Sequence, residues 1–153
     1  MASVSIQSAD FNVGAEIKAL AAGRHDIGAV VTFIGLCRDE SGTLAALELE
    51  HYPGMAEDEL LRVIAEAEAR WPLLGARIIH RCGKIAPGEQ IVLALTASAH
   101  RASAFAACDF LMDYLKTRAP FWKKQHRRDG SSGEWVAAKE LDDRAAQRWA
   151  LPS

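Results

Sequence analysis

A short basic segment in the C-terminal third of the chain has the residue types best suited to chemistry. Residues 114–124 contain four cations, in a chain whose formal net charge is −2. Pro120 interrupts them, because proline lacks the N–H that continues a helix and disfavours helical backbone at the residue before it. We therefore predict that Lys116 lies at the end of a helix and that Lys123 and Lys124 follow a bend. Such a bend can point both groups into one concavity, which suits a small anion or attack on a carbonyl-type carbon.

Lys116 has two interpretations, and the residues alone leave both open. A lysine becomes a nucleophile or a proton-transfer group near neutral pH when burial or neighbouring cations lower its pKa. Arg118, Lys123 and Lys124 supply such cations. Alternatively, Lys116 is an ordinary lysine at a helix C-terminus, where it interacts with the negative end of the helix dipole.

Two further sets of basic residues follow predicted strands. His100 and Arg101 lie between the apolar run at 90–96 and a predicted helix, where side-chain cations and free helix amides together favour phosphate. Arg38 follows the apolar run at 28–35, and an arginine fork matches phosphate or carboxylate oxygens. Taken alone, the pair is better explained as a helix-start histidine with a surface arginine, and Arg38 as an ordinary surface arginine.

Composition excludes several classes of protein. The 18 basic and 20 acidic residues argue against a protein that coats nucleic acid through bulk charge. No apolar run approaches the roughly 20 residues of a membrane span, and the N-terminus has no secretory pattern. The three cysteines form no C-x-x-C pair, and the histidines have no metal-ligand spacing, so we predict a cytoplasmic protein with reduced thiols, no metal and no cofactor.

The elements that must position these residues alternate along the chain. Apolar or alternating runs predict strands near residues 4–6, 28–35, 46–51, 77–81, 90–96 and 134–138. Helical spacing of apolar residues predicts helices near 12–22, 55–70 and 100–118, and 83–88 is predicted as a loop. We predict one domain over residues 1–153, of the α+β class, with packed helices on a mixed or antiparallel sheet.

Read in order, these segments resemble the catalytic (large) subunit of molybdopterin synthase. The resemblance covers about residue 27 to residue 139, and the string around Lys116 is its most specific part. The matching segments are Gly28-Ala-Val-Val-Thr-Phe33 with Arg38, Leu49-Glu-His-Tyr-Pro-Gly-Met55, Arg70-Trp-Pro-Leu73, Ile79-His-Arg81, Gly88-Glu89, Ala99-His-Arg101 and Met112-Asp-Tyr-Leu-Lys-Thr-Arg-Ala-Pro-Phe-Trp-Lys123.

The resemblance implies an α/β hammerhead-type fold and a sulfurtransferase that works as a dimer of large subunits within a heterotetramer. Each large subunit would bind a small ubiquitin-like sulfur carrier whose Gly-Gly tail ends in a thiocarboxylate. Sulfur would pass twice to cyclic pyranopterin monophosphate and form the dithiolene of molybdopterin. By position, Lys116 and Lys123 would be catalytic, and the substrate would be bound by Arg38, His100, Arg101, Lys124, Gln125 and Lys139. We expect Lys116, Lys123, Arg38 and His100 to converge on one pocket, within one subunit or across a dimer interface.

Two alternatives come from other functional classes. Phe121 and Trp122 are expected to pack in the core, but they could also stack on bases in a single-stranded RNA-binding module whose lysines bind phosphates. A catalytically inactive scaffold that only docks a ubiquitin-like partner is the second alternative. Salt-dependent RNA affinity would favour the first, and carrier binding without turnover would favour the second.

Overall fold

The computed structural model describes residues 2–118, 121–136 and 148–149, which form three helices and seven strands. The helices are α1 (Val13–Ala21), α2 (Met55–Arg70) and α3 (Arg101–Arg118). The strands are β1 (Ala2–Gln7), β2 (Ala29–Leu36), β3 (Leu44–His51), β4 (Leu73–Arg81), β5 (Gly83–Ile85), β6 (Gln90–Ser98) and β7 (Phe121–Arg127). The predicted α+β class is confirmed. None of the helices among the described residues is both long and apolar enough to cross a membrane.

The larger sheet has four strands in the order β1-β4-β6-β2. Its pairs are antiparallel except for β1 and β4, which are parallel. Side chains alternate across the sheet, so Ile78 and Val92 pack with α2 and α3 while Ile79 and Leu93 pack with α1. Both faces are therefore covered by helices, which explains why β4 and β6 are buried along most of their length.

The smaller sheet has three antiparallel strands in the order β5-β3-β7. Its inner face is a separate core in which Leu49 and Ile85 are almost fully buried together with Cys37 and Leu44. In β7, Lys123 pairs with Leu49 and Phe121 pairs with His51. From Phe121 onward the basic segment is therefore part of a strand built into a sheet, and its alternate side chains face the inner core.

Helix α3 sets the distance between His100-Arg101 at its start and Lys116 near its end, because it runs along the length of the larger sheet. The chain leaves β6 at Ser98, turns at 99–100 and returns as the 18 residues of α3. The Thr96 hydroxyl donates a hydrogen bond to the Ala104 carbonyl, and the first and last turns of α3 are about 25 Å apart at a rise of about 1.5 Å per residue. One end of α3 thus lies beside the end of β6, and the other end reaches the start of β6.

Most predicted elements are confirmed, with ends shifted by a few residues. Asn12 caps α1 by accepting a hydrogen bond from the Ala15 amide, and Gly23 has a positive φ of 69° just beyond the helix. Three features differ. The predicted loop 83–88 begins with strand β5, and β7 was not expected because polar residues interrupt its apolar pattern.

The third difference concerns the predicted strand at 134–138, which is wrong for the residues that can be compared. Ser132 and Val136 make single bridges to His126 and Lys123, and residues 133–135 are irregular. Residues 137 and 138 lie outside the described residues. In this part of the chain, Val136 therefore makes one isolated bridge to Lys123 of β7 in place of a continuous strand.

Candidate functional site

Four basic side chains from four different elements lie near the C-terminal end of α3, and three of them act electrostatically on the fourth. They are Lys116 of α3, Lys123 of β7, His51 of β3 and His80 of β4, and we call this set the basic site. The positive charges of Lys116 and Lys123, together with His51, act electrostatically on the His80 ring. The two lysines that were predicted to share a concavity are therefore close to the same imidazole.

His80 is the most deeply placed member of the basic site, with 6% of its surface exposed. Its ring stacks on Phe121 with centroids 3.9 Å apart and planes 14° from parallel. Its Nδ1 lies 2.8 Å from the backbone carbonyl oxygen of Arg81. Burial lowers the pKa of His80 to about 4; the hydrogen bond to Arg81 opposes this, and the two lysine charges add to it. The imidazole is therefore neutral at physiological pH.

A buried arginine fixes the strand end that carries His80. Arg81 is 7% exposed, and its guanidinium donates hydrogen bonds to the carbonyl of Ser8, the carbonyl of Gln90 and the carboxylate of Glu89. These bonds join β4 to the segment after β1 and to the start of β6. The position of the His80 backbone is thus set by a charged group whose donors are used in the structure.

Alternation along β7 separates the lysines that follow Phe121. Lys123 shares the inner face of the small sheet with Leu49, whereas Lys124 lies opposite Glu48 on the outer face. The Lys124 ammonium lies 5.5 Å from the centroid of the Trp135 ring. Gln125 has the same parity as Lys123 but is exposed near the far end of β7. Of these three candidates, Lys123 is the one directed toward the basic site.

Arg38 lies at the same end of the larger sheet as His80. Gly35 of β2 and His80 of β4 both pair with Val92, so they belong to one row across the sheet, separated by two strand spacings, or about 10 Å. Arg38 follows this row by three residues; its side chain is 79% exposed and lies 2.6 Å from the Glu40 carboxylate. Its guanidinium is accessible to a ligand, although it does not touch the basic site directly.

His100 and Arg101 lie at the opposite end of α3. Arg101 and Lys116 are fifteen residues apart on one helix, which corresponds to about 22 Å. Both His100 and Arg101 are exposed, and among the described residues neither side chain makes an ion pair. A single chain therefore does not bring these two residues to the basic site. Lys139, the remaining predicted substrate-binding residue, lies outside the described residues.

The carboxylate closest to Lys116 on its own helix is already used. Asp113 accepts hydrogen bonds from the Arg148 guanidinium and from the Trp149 indole N–H, and Arg148 also pairs with Asp109. Within residues 2–118, 121–136 and 148–149, Lys116 forms no ion pair with a carboxylate. Its ammonium is therefore available to an anionic ligand.

The three cysteines do not have the environment of a nucleophile. Cys37 and Cys108 are buried and Cys82 is partly buried, and all three are free thiols. Burial raises the pKa of each thiol, to about 11 for Cys108. None of the three thiols is therefore suited to act as a nucleophile at neutral pH.

Two aromatic residues of the basic segment have different roles. Phe121 stacks on His80 and packs against the main core, which confirms the core prediction for this ring. Trp122 lies on the outer face, where its ring meets Tyr52 edge-on at 4.8 Å. The RNA-binding alternative requires Phe121 to stack on a base, but His80 already stacks on the Phe121 ring.

His80 and His51 are site residues that the sequence analysis missed. Neither His51 nor His80 has metal-ligand spacing, and no other local pattern marks either residue as part of a site. The useful signal was the position of His80, which ends an apolar strand and precedes a buried arginine. A polar ring buried at the end of a strand requires a hydrogen-bond partner, because burial without one is unfavourable.

Comparisons with known proteins agree on one family. The family model described as "MoaE protein" matches residues 6–118. The molybdopterin synthase catalytic subunit of Mesorhizobium japonicum is 68% identical over 146 residues, which cover 95% of this chain and 92% of that protein.

Two solved structures extend the comparison to the fold. The molybdopterin biosynthesis MoaE protein from Burkholderia ambifaria is 49% identical, with a TM-score of 0.86 and 99% of each chain covered. Molybdopterin synthase from Staphylococcus aureus is 29% identical, with a TM-score of 0.78, covering 87% of this chain and 96% of the other.

Proposed function

The chain belongs to the MoaE protein family, and we propose that it is the catalytic subunit of a molybdopterin synthase. In this proposal the protein is a cytoplasmic sulfurtransferase. It moves sulfur from the C-terminal thiocarboxylate of a small ubiquitin-like carrier to cyclic pyranopterin monophosphate, forming the dithiolene of molybdopterin. The observation that carries the proposal is the basic site, in which Lys116 and Lys123 from separate elements meet around a neutral, buried histidine.

The electrostatics of the basic site suit this reaction. Both reactants are anions, a thiocarboxylate and a phosphate ester, and they repel each other in solution. Two ammonium groups at one place reduce that repulsion and stabilise the negative charge that develops on oxygen during transfer. Each transfer forms one carbon–sulfur bond on the pterin while a carbon–oxygen bond at the same carbon breaks, its oxygen leaving as water or staying on the phosphate; water then cleaves the acyl–sulfur bond and returns the carrier as a carboxylate. The protein supplies no sulfur, consistent with its thiols of raised pKa.

Lys116 is the group we assign to the reacting acyl end. It is partly buried at the last turn of α3, and no described carboxylate neutralises it. Lys123 lies on the neighbouring strand and directs its charge to the same place. We assign Lys123 to the substrate side, where it would stabilise the pterin intermediate or act in proton transfer.

The substrate phosphate requires a second subunit in this proposal. His100 and Arg101 are about 22 Å from Lys116 along α3, too far to bind the same small molecule in one chain. We propose that the active site is completed in a homodimer within a heterotetramer, with His100 and Arg101 of one subunit facing the basic site of the other. Arg38 adds an exposed guanidinium on the Lys116 side, and Lys139 is assigned to the neighbouring site by the family resemblance alone.

A reconstituted assay tests the function. The purified chain is mixed with thiocarboxylated carrier and cyclic pyranopterin monophosphate, and dithiolene formation is measured. We expect turnover by the wild-type chain and a loss of about 10³ with Lys116→Ala, within the range for a group acting on proton transfer or charge. Lys18→Ala on the exposed face of α1 is the matched control and should retain full activity. Full activity of Lys116→Ala would overturn the role of Lys116, and carrier binding without turnover by the wild type would identify a docking scaffold.

A further inference from the structure

The tryptophan at position 149 packs into the main core between α2 and α3. Its ring meets those of Trp71 and Phe110 edge-on, with ring centroids 5.6 Å apart in each case. Its backbone carbonyl oxygen accepts a hydrogen bond from the Arg70 guanidinium at the end of α2. These contacts fix the position of Trp149, and the preceding residue, Arg148, is therefore held beside α3.

This anchor directs three hydrogen-bond donors at one carboxylate oxygen of α3. The Nε and Nη2 atoms of Arg148 lie 3.0 and 2.6 Å from Oδ2 of Asp113, and the Trp149 indole N–H donates to the same oxygen. Nη2 of Arg148 also lies 2.8 Å from Oδ1 of Asp109, one turn earlier on the helix. Asp109 and Asp113 are the two acidic residues of α3, so one guanidinium pairs with both.

Lys116 lies three residues beyond Asp113 on the same helix. Side chains with this spacing are neighbours, with Cβ atoms about 5–6 Å apart, and an aspartate and a lysine at this spacing can form an ion pair. In the part of the chain that the structure describes, Asp113 pairs with Arg148 and not with Lys116. The Asp113 side chain is only 13% exposed, and a carboxylate with so little access to water requires a charged partner. The presence of Arg148 therefore decides which cation this carboxylate binds.

We propose that Arg148 is a positioning residue that keeps Asp113 from pairing with Lys116, so that the Lys116 ammonium remains available to the thiocarboxylate of the carrier. This inference rests on the proposed function, since it concerns the anion that binds there. An ion pair with Asp113 would neutralise one of the two lysine charges that stabilise the anionic reactants. Trp149 supports this role, because its ring is held in the core and its N–H binds the same carboxylate oxygen.

Three variants separate this positioning role from a merely structural one. Arg148→Ala releases both aspartates. Adding Asp113→Asn removes the charge that would capture Lys116, while the amide oxygen can still accept a hydrogen bond from Trp149. Adding Asp109→Asn instead is the matched control, because residue 109 lies about 10 Å before Lys116 along α3. A structural role predicts equal loss in all three variants, whereas a positioning role predicts rescue by Asp113→Asn alone.

The first readout is turnover of cyclic pyranopterin monophosphate with thiocarboxylated carrier. We expect kcat to fall about tenfold in Arg148→Ala and in its combination with Asp109→Asn. The combination with Asp113→Asn should return to within about threefold of wild type, because no carboxylate then competes for Lys116. Asp113→Asn alone should stay within about twofold of wild type.

The second readout needs no activity. Trace acetylation with acetic anhydride, followed by peptide mass spectrometry, compares the reactivity of Lys116 with that of Lys18, an exposed lysine of α1. An ammonium that is paired with a carboxylate loses its proton less readily and is acetylated more slowly. The ratio of Lys116 to Lys18 acetylation should therefore fall about threefold or more in Arg148→Ala and recover when Asp113→Asn is added.

The outcomes are distinguishable from failure of the proposed function. If wild-type protein does not turn over the pterin substrate, the function itself is wrong, and an unchanged acetylation ratio in Arg148→Ala would separately overturn the positioning role. If wild type is active and Arg148→Ala matches it in kcat and in the ratio, the positioning role is overturned. Equal loss in all three variants with an unchanged ratio would make Arg148 a structural residue. Equal rescue by Asp109→Asn would attribute the loss to net charge and also contradict the proposal.

Discussion

The two ends of α3 carry the basic residues of this protein in opposite ways. At the C-terminal end, Lys116 is partly buried and lies near Lys123 and His80, with a stacked aromatic ring beneath it. At the N-terminal end, His100 and Arg101 are exposed and have no ion-pair partner among the described residues. The first end is an organised site within one chain, and the second is a pair of exposed basic side chains that a ligand or another subunit can contact.

This difference indicates how the work is divided. A buried cluster can tune protonation and orient groups, because its dielectric surroundings are fixed by the fold. Exposed cations on a helix N-terminus can bind a phosphate but cannot tune chemistry to the same degree. The C-terminal end of α3 is therefore suited to the reacting atoms and the N-terminal end to the substrate's phosphate.

The largest effect is expected when a basic residue at one end of α3 is replaced in one subunit and a basic residue at the other end is replaced in its partner. Lys116→Ala and Arg101→Ala homodimers should each lose about 10³ in sulfur transfer. If each active site uses both ends from different subunits, dimers formed by refolding the two variants together should regain roughly a quarter of wild-type activity, because half of them contain one intact site. Absence of recovery in verified mixed dimers would place both ends in separate sites.

A methyl group added at Gly28 would displace the backbone at Ala99, just before the N-terminal end of α3. A Cβ at Gly28 would lie 2.1 Å from the Ala99 carbonyl oxygen, a backbone atom that cannot rotate away. We expect Gly28→Ala to lower the free energy of unfolding by about 3 kcal/mol, measured by urea denaturation. Gly14→Ala in α1 is the matched control: its Cβ would meet only the Asn12 side chain at 3.5 Å, so stability should be unchanged or higher by about 0.5 kcal/mol. Equal stability of the two variants would contradict the close approach.

The buried end should have a pH signature that the exposed end lacks. The pKa of His80 in the folded chain is about 4, below the ordinary value of about 6.5, so the unfolded chain binds more protons in between. The free energy of unfolding should therefore fall as the pH is lowered, by about 2 kcal/mol between pH 6.5 and pH 5 from this group alone. Urea denaturation of His80→Phe should lack this component, whereas His100→Phe should keep it. Parallel pH dependences in wild type and His80→Phe would show that His80 is not held neutral.

The smallest expected effect distinguishes two adjacent lysines of β7 at the C-terminal end of α3. Lys123 and Lys124 are adjacent, but only Lys123 faces the inner side of β7. We expect Lys123→Ala to reduce sulfur transfer by about a hundredfold and Lys124→Ala by about threefold, since an exposed cation contributes mainly to ligand attraction. The loss in Lys124→Ala should shrink as salt is added. A larger loss in Lys124→Ala than in Lys123→Ala would show that the outer face of the small sheet carries the chemistry.

Local patterns predicted the elements well where one principle dominated. The helix at 55–70 agrees with α2 at both ends, because the turn before it and Trp71-Pro72 after it are strong signals. Strand β7 escaped prediction because Phe121-Trp122-Lys123-Lys124 reads as a charged bend, and only pairing with β3 makes it a strand. Pairing partners that are more than seventy residues apart leave no local signature.

The candidate site shows the same limit. Proline and clustered lysines led to the prediction that Lys116 and Lys123 share a site, and both lysines act electrostatically on His80. The resemblance named His100 and Arg101 but could not show that a helix of 18 residues separates them from Lys116. His80 was missed because its role depends on a stacked ring from β7 and a carbonyl on its own strand, neither of which its sequence neighbours reveal.

The parallel pair at the edge of the larger sheet has a consequence for how the chain is made. Strand β1 pairs with residues 76–81 of β4, so once β1 has been synthesised it must wait for a partner made 74 residues later. At ribosomal rates of about 5–20 residues per second, that interval lasts about 4–15 s. During it β1 exposes only Val4 and Ile6 as large apolar residues, separated by serine, which limits sticking to other nascent chains. The hydrogen bonds of Arg81 to Ser8, Glu89 and Gln90 can form only after residues 89 and 90 have also been made, so the edge is fixed slightly later than it is paired.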